Sequence, residues 1–156
     1  MNKEPVVTLL IMESLLAIVK NSIGSNVFRN FYAKVNGEKR DILEDGTKSC
    51  AIFTSAVLLQ LELIEMPHVT VGGVVRDMEA SGWTKIDEPK IGCILVWEPI
   101  EFDEELQIDI QHTGFYIGDD QAISNSYEER SPQIHHWTYD DKRKITAMYW
   151  HNKLND

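Results

Sequence analysis

The chain has 156 residues, of which 43% are hydrophobic, so its length and composition predict a single domain, residues 1–156, with a core of its own. It carries 25 acidic and 15 basic residues, a net charge of −10, and its densest basic run is the short stretch 142–144. Nucleic acids and anionic membrane surfaces are bound through concentrated positive charge, so this composition argues against both as partners.

Helical patterns fill the first half of the chain. Apolar residues recur at helical spacing over residues 6–19, interrupted by charged residues, which predicts a water-soluble helix and no membrane span. A second helix is predicted from about residue 50 to 63, before Pro67, because proline disfavours helical geometry in the residue that precedes it. A third is predicted over residues 71–80, with Thr70 as its N-cap.

Strand patterns follow in the second half. They predict strands at residues 92–97, 108–117, 121–127 and 144–150, with an exposed acidic loop at residues 98–105. Helices followed by strands predict an α+β fold, in which the N-terminal helices pack on a C-terminal antiparallel sheet.

The position of Cys50 makes it the candidate nucleophile. It follows the short polar residues 46–49 and begins the second predicted helix, whose N-terminal partial positive charge favours the thiolate. Ionising a free thiol at neutral pH requires about 2 kcal/mol, and a helix end supplies about 0.3–1 kcal/mol. An imidazolium would supply the rest. His112, in a predicted strand, is the candidate, and we expect it to lower the pKa of Cys50 and to protonate the leaving amine.

No metal site or cofactor is predicted. The two cysteines, Cys50 and Cys93, form no C-x-x-C pair. The adjacent residues His135 and His136 would point to opposite faces of a strand, so they cannot easily share one ion. With no export signal recognised, the expected location is the cytoplasm, and release by lysis or by a secretion machine is the alternative.

Residues 112–118, HTGFYIG, resemble the H-x-G-[IF]-Y-[IL]-G signature of the NlpC-like cysteine peptidases, which have a reduced papain-like fold. Residues 92–97 are similar to the family's G-D-L-V-x-[FW] strand, and Ser49 and Cys50 occupy the place of its D-C-S-G nucleophile motif. The motifs differ in that Ser49 and Cys93 stand where the family has aspartate, and Ala51-Ile52 replaces Ser-Gly. The resemblance covers about residues 46–126.

The resemblance implies a papain-like or NlpC-like hydrolase in which Cys50 and His112 cleave amide bonds, often in peptidoglycan stem peptides. The substrate would then be a peptide or small amide, such as a cell-wall fragment, with Ser49 and Ser124 assigned to its binding. Two alternatives are a catalytically inactive binding or scaffold domain of the same fold and a thiol acyltransferase.

The family also has a third polar residue that orients the histidine, and two arguments place it differently. The spacing typical of the family places it at Ser124. If residues 119–120 form a tight hairpin turn, however, Gly114 faces Asn125 in the adjacent strand. An amide oxygen orients an imidazole better than a hydroxyl does, so we predict Asn125, with His135 or His136 ranked below it.

Overall fold

The structure is a computed structural model that describes residues 3–104 and 108–156. Within these residues the α-helices are α1 (Ile11–Asn21), α2 (Cys50–Gln60) and α3 (Val71–Ala80). The strands are β1 (Tyr32–Val35), β2 (Glu38–Asp41), β3 (Thr84–Lys85), β4 (Ile94–Asp103), β5 (Ile108–Gly118), β6 (Gln121–Ser126), β7 (Ser131–His136) and β8 (Ile145–Trp150), followed by a short 3₁₀ helix, Asn152–Leu154.

The main sheet has the strand order β3-β8-β4-β5-β6-β7 among the described residues, and its neighbouring strands are antiparallel. Strands β1 and β2 form a separate hairpin between α1 and α2. The predicted α+β fold is confirmed. The sequence patterns missed strands β1, β2 and β3, which are short and largely exposed, and strand β7, which contains Pro132.

Helix α2 lies at the centre of the fold because its sequence is apolar on nearly every side. Its buried side chains include Ile52, Phe53 and Leu58. The Phe53 ring lies 5.4 Å from the ring of Phe115 in β5 and 5.0 Å from that of Phe28. Burying a large apolar side chain contributes about 1.5–3 kcal/mol, so these contacts hold α2 against the middle of the sheet.

Helix α1 begins later than the pattern predicted. Val6 and Leu9 are 96% and 72% exposed and precede the helix, which starts at Ile11. Its N-cap residue provides no side-chain hydrogen bond. Instead, the N–H of Met12 donates to the carboxylate of Asp156, at 3.2 Å to the nearer oxygen. This helix start therefore depends on a residue from the far end of the sequence, which local spacing does not show.

The acidic loop predicted at residues 98–105 is wrong over residues 98–103, which continue β4. The pairing of β4 with β5 is interrupted by a bulge between Trp97 and Glu101 and then resumes. Residue 105 lies outside the described residues.

The hairpin between β5 and β6 has the predicted turn but a different register. Asp119 and Asp120 have φ of 51° and 57°, and Gly118 pairs with Gln121. An extra β5 residue between positions 116 and 118 then shifts the pairing by one residue. As a result Gly114 pairs with Ser124, and the predicted pairing of Gly114 with Asn125 is wrong.

Helix α3 has the predicted bounds and the predicted cap. The Thr70 hydroxyl oxygen accepts a hydrogen bond from the N–H of Gly73 at 3.1 Å. We expect Thr70→Ala to reduce the free energy of unfolding by about 1 kcal/mol, because this N–H would lose its acceptor. Thr8→Ala, at an exposed position before α1, is the matched control and should leave stability unchanged. Urea unfolding of both variants checks this, and equal losses would contradict a capping role.

Candidate active site

The thiol of Cys50 lies where α2 meets β5. Cys50 is the first residue of α2, and its Sγ is 4.0 Å from the carbonyl oxygen of Gln111. The backbone N–H of Thr113 also lies close enough to this sulfur to lower the pKa of the thiol. Gln111 and Thr113 flank His112 in the chain. The fold therefore places the sulfur against the backbone on both sides of His112.

The imidazole of His112 is held between a tryptophan and a serine. The ring centroids of Trp97 and His112 lie 5.1 Å apart, and these residues are paired across β4 and β5. Trp97 is completely buried, and its indole N–H donates to the carbonyl of Trp137 at 2.8 Å. On the other side, Nε2 of His112 lies 2.8 Å from the hydroxyl oxygen of Ser124. The indole and the serine together fix the position of the imidazole.

Ser124 contacts two further groups. Its hydroxyl oxygen is 2.7 Å from Nε2 of His135 in β7 and 3.0 Å from the hydroxyl of Tyr139. The rings of His135 and Tyr139 stack with centroids 4.0 Å apart and planes inclined by 14°. We call His112, Ser124, His135 and Tyr139 the polar cluster. The sequence analysis ranked His135 below Asn125 and missed Tyr139, because strand β7 and the turn after it were not predicted.

Asn125 forms no hydrogen bond with the His112 ring. Its Nδ2 donates to the carbonyl of Gly46 at 2.8 Å, which ties β6 to the loop that precedes Cys50. The expectation that Asn125 lies beside His112 fails because the bulge in β5 shifts the register by one residue, and Ser124 takes that place.

The two residues assigned to substrate binding are both buried. Ser49, the N-cap residue of α2, is 0% exposed, and its hydroxyl has no hydrogen-bond partner in the part of the chain that the structure describes. Ser124 is 1% exposed, and its hydroxyl contacts the other three members of the polar cluster.

Gly114 provides the space that Ser124 needs. A Cβ atom at position 114 would lie 2.6 Å from both the Cβ of Ser124 and the carbonyl oxygen of Ile123. Real Cβ atoms do not approach other atoms so closely. The glycine of the sequence motif therefore permits the close approach of β5 and β6 beside the polar cluster.

Burial controls the charges of the site. It raises the pKa of the Cys50 thiol, and this effect outweighs the backbone N–H groups and the positive charge of Arg143, which lower it. Burial also lowers the pKa of His112 to about 3, with smaller contributions from Arg143 and His135. Both groups are therefore neutral at pH 7. The expectation that His112 lowers the pKa of Cys50 is therefore wrong in direction, because burial disfavours the charged form of each group.

In residues 3–104 and 108–156, no group of three or more His, Cys, Asp or Glu side chains is arranged to hold a metal ion. The same residues include no helix that is long and apolar enough to span a membrane.

No protein-family model and no curated protein sequence matches the chain. Among solved structures, the chain is similar to NlpC2 from Trichomonas vaginalis, with a TM-score of 0.54 and 16% sequence identity. The match covers 93% of this chain and 50% of that protein, so the chain spans about half the length of its structural neighbour. This likeness shows an NlpC-like fold.

The raised thiol pKa makes a prediction about alkylation. We expect the rate at which iodoacetamide modifies Cys50 to increase with pH, with a midpoint above the value of about 8.5 for a free cysteine. Mass spectrometry of the Cys50 peptide measures the rate. Cys93 is the internal control, since it is 0% exposed and burial raises its pKa to about 11, so it should stay unmodified while the protein is folded. A Cys50 midpoint at or below about 8.5 would contradict the prediction, and one below about pH 7 would show a preformed thiolate.

A second prediction concerns Gly114. Gly114→Ala should reduce the free energy of unfolding by about 1–3 kcal/mol, because the added methyl group forces β5 and β6 apart at Ser124. Gly72→Ala in α3 is the control: its Cβ would meet only the end of the flexible Arg76 side chain, at 3.3 Å. Since alanine favours helix, that variant should be neutral or more stable by up to about 1 kcal/mol. Urea unfolding compares the two, and a neutral Gly114→Ala variant would be inconsistent with a tight contact.

Proposed function

We propose that the protein is a thiol hydrolase that cleaves amide or peptide bonds, with Cys50 as the nucleophile and His112 as the general base and acid. The observation that carries this proposal is the position of the Cys50 sulfur, against the β5 backbone on both sides of His112. The NlpC-like fold and the 2.8 Å contact between Nε2 of His112 and the hydroxyl of Ser124 support it.

The proposed reaction starts from a neutral pair. His112 Nδ1 takes the thiol proton while the Cys50 sulfur attacks the carbonyl carbon, so no stable thiolate is needed beforehand. As the sulfur–carbon bond forms, the carbonyl π electrons move to oxygen and create an oxyanion. The first N–H groups of α2, those of Cys50 and Ala51, favour negative charge at this end of the helix and are the donors we propose for that oxyanion.

The intermediate then collapses to an acyl-enzyme. The carbon–nitrogen bond breaks, and the His112 imidazolium returns its proton to the departing amine. In the second half of the reaction, His112 removes a proton from water as the water oxygen attacks the thioester carbonyl carbon. The carbon–sulfur bond then breaks, the carboxylic acid leaves, and the His112 imidazolium returns its proton to the Cys50 sulfur, which restores the thiol. For this chain we propose a short peptide or amide as the substrate, with cell-wall stem-peptide fragments as the first class to test.

Mass spectrometry of the products tests the proposal. We expect the wild-type protein to hydrolyse members of a panel of peptidoglycan stem peptides and short peptide amides. Cys50→Ala should abolish the reaction, and His112→Ala should reduce kcat/KM by about 10²- to 10⁴-fold, the usual contribution of a general base. The matched control is Cys93→Ala, which removes the other cysteine, in the core, and should retain activity.

A reactive probe makes the test independent of the substrate panel. A peptide-derived epoxide should label Cys50, and His112→Ala should slow the labelling. Two outcomes would contradict the proposed function. One is labelling of Cys50 at the same rate in the wild type and in His112→Ala, and the other is equal product formation by the wild type and Cys50→Ala. The first result would favour an inactive domain of the same fold, for which the raised pKa of the thiol is the supporting observation.

A further inference from the structure

The hydroxyl group of Ser124 has limited hydrogen-bonding capacity. A serine hydroxyl donates one hydrogen bond and accepts two. Among the described residues, the groups within 3.0 Å of this oxygen are His112 Nε2, His135 Nε2 and the Tyr139 hydroxyl. Three partners use its full capacity, so the single hydroxyl hydrogen must be directed at only one of them.

The backbone determines which partner receives that hydrogen. Nδ1 of His135 lies 2.8 Å from the carbonyl oxygen of His136. A carbonyl only accepts hydrogen bonds, so the hydrogen of the His135 ring must be on Nδ1. In a neutral imidazole the other nitrogen then has a lone pair, and Nε2 of His135 accepts the hydrogen of Ser124.

The remaining hydrogen positions follow. Because the Ser124 hydrogen is given to His135, the serine oxygen can only accept from Tyr139 and His112. His112 must therefore carry its hydrogen on Nε2, which leaves Nδ1 as the ring nitrogen with a lone pair. The neutral cluster satisfies these contacts with one arrangement of hydrogens.

We propose that His135 is a positioning residue, which acts through Ser124 to hold His112 in the tautomer that has a basic Nδ1. The inference rests on the proposed function, because that tautomer is the one in which Nδ1 takes the Cys50 proton. His135 does not touch the thiol or the substrate in this scheme. It replaces, together with Ser124, the single polar residue that was expected to orient the ring.

The packing around His135 supports this role. Tyr139 stacks on its ring, and the Trp97 ring lies 5.7 Å from it. Tyr139, Asp140 and Asp141 have φ of 53°, 54° and 63°, a conformation that is unfavourable for side-chain-bearing residues. The backbone of the turn after β7 is therefore strained at the residues that place the ring and hydroxyl of Tyr139 in the polar cluster. Burial lowers the pKa of His135, so the ring stays neutral as the arrangement requires.

The direct test is nitrogen NMR of the wild-type protein labelled with ¹⁵N-histidine. We expect His112 to carry its hydrogen on Nε2 and His135 to carry its hydrogen on Nδ1 at pH 7. The opposite tautomer at either residue would overturn the proposal. This measurement needs no substrate and no variant.

Two variants at position 135 then separate positioning from simple packing. His135→Leu removes the acceptor, so Ser124 can turn its hydrogen to His112, and we expect the Nδ1–H tautomer of His112 to become populated. His135→Gln offers an amide oxygen to Ser124 and an N–H to the His136 carbonyl, and it should restore the wild-type tautomer. An unchanged His112 tautomer in folded His135→Leu would overturn the proposal.

Kinetics distinguish this inference from the proposed function. With an active substrate, His135→Leu should lower kcat more than it changes KM. The loss in kcat should be smaller than the factor of about 10² to 10⁴ expected when the base itself is removed. His135→Gln should recover activity. A tautomer shift without any Cys50-dependent activity would support the positioning role and reject the hydrolase. Full activity in His135→Leu would reject the positioning role and retain the hydrolase.

Discussion

The packing of α2 against β5 is the interaction on which the site depends. Helix α2 is apolar on nearly every side, so it is stable only inside the core, and the contact of Phe53 with Phe115 fixes it over the middle of the sheet. Its first residue, Cys50, is therefore placed half-buried against the strand that carries His112. Partial burial at this contact disfavours the charged forms of the thiol and the imidazole, and both are neutral for that reason.

A neutral site inside a protein must satisfy its own hydrogen bonds, because unpaired polar groups are costly away from water. The polar cluster does so around one small hydroxyl. Ser124 can approach three rings because Gly114 leaves space beside it, and a longer side chain at either position would separate the strands or the rings. Asn125 satisfies a different requirement nearby, since it binds the carbonyl of Gly46 and fixes the loop that leads to Cys50.

The sequence predicted the elements that hold the nucleophile and the histidine, and it failed on features set by distant contacts. Helix α3 was predicted with its cap, and α2 was predicted from its first residue, because capping and apolar composition are local properties. The choice of Asn125 was wrong by one position because a single extra residue in β5 reverses which side chain faces the site, and nothing in the local pattern marks that bulge. His135 was ranked low because its strand was not predicted: the strand contains Pro132, and a proline argues against a strand.

The residues around Cys50 explain why the site differs chemically from the arrangement that the sequence led us to expect. Ser49, Ala51 and Ile52 are all buried, so the positions where the family signature has Asp, Ser and Gly here serve packing. Dense packing raises the pKa of the thiol, and the thiolate is the form that reacts with oxidants and alkylating agents. In the proposed hydrolase, the thiolate would therefore form only as His112 removes the proton during attack on a bound carbonyl. The thiol of such a site is unreactive in the resting protein. Its chemistry depends on a lone pair at Nδ1 of His112, and maintaining that tautomer is the function we assign to Ser124 and His135.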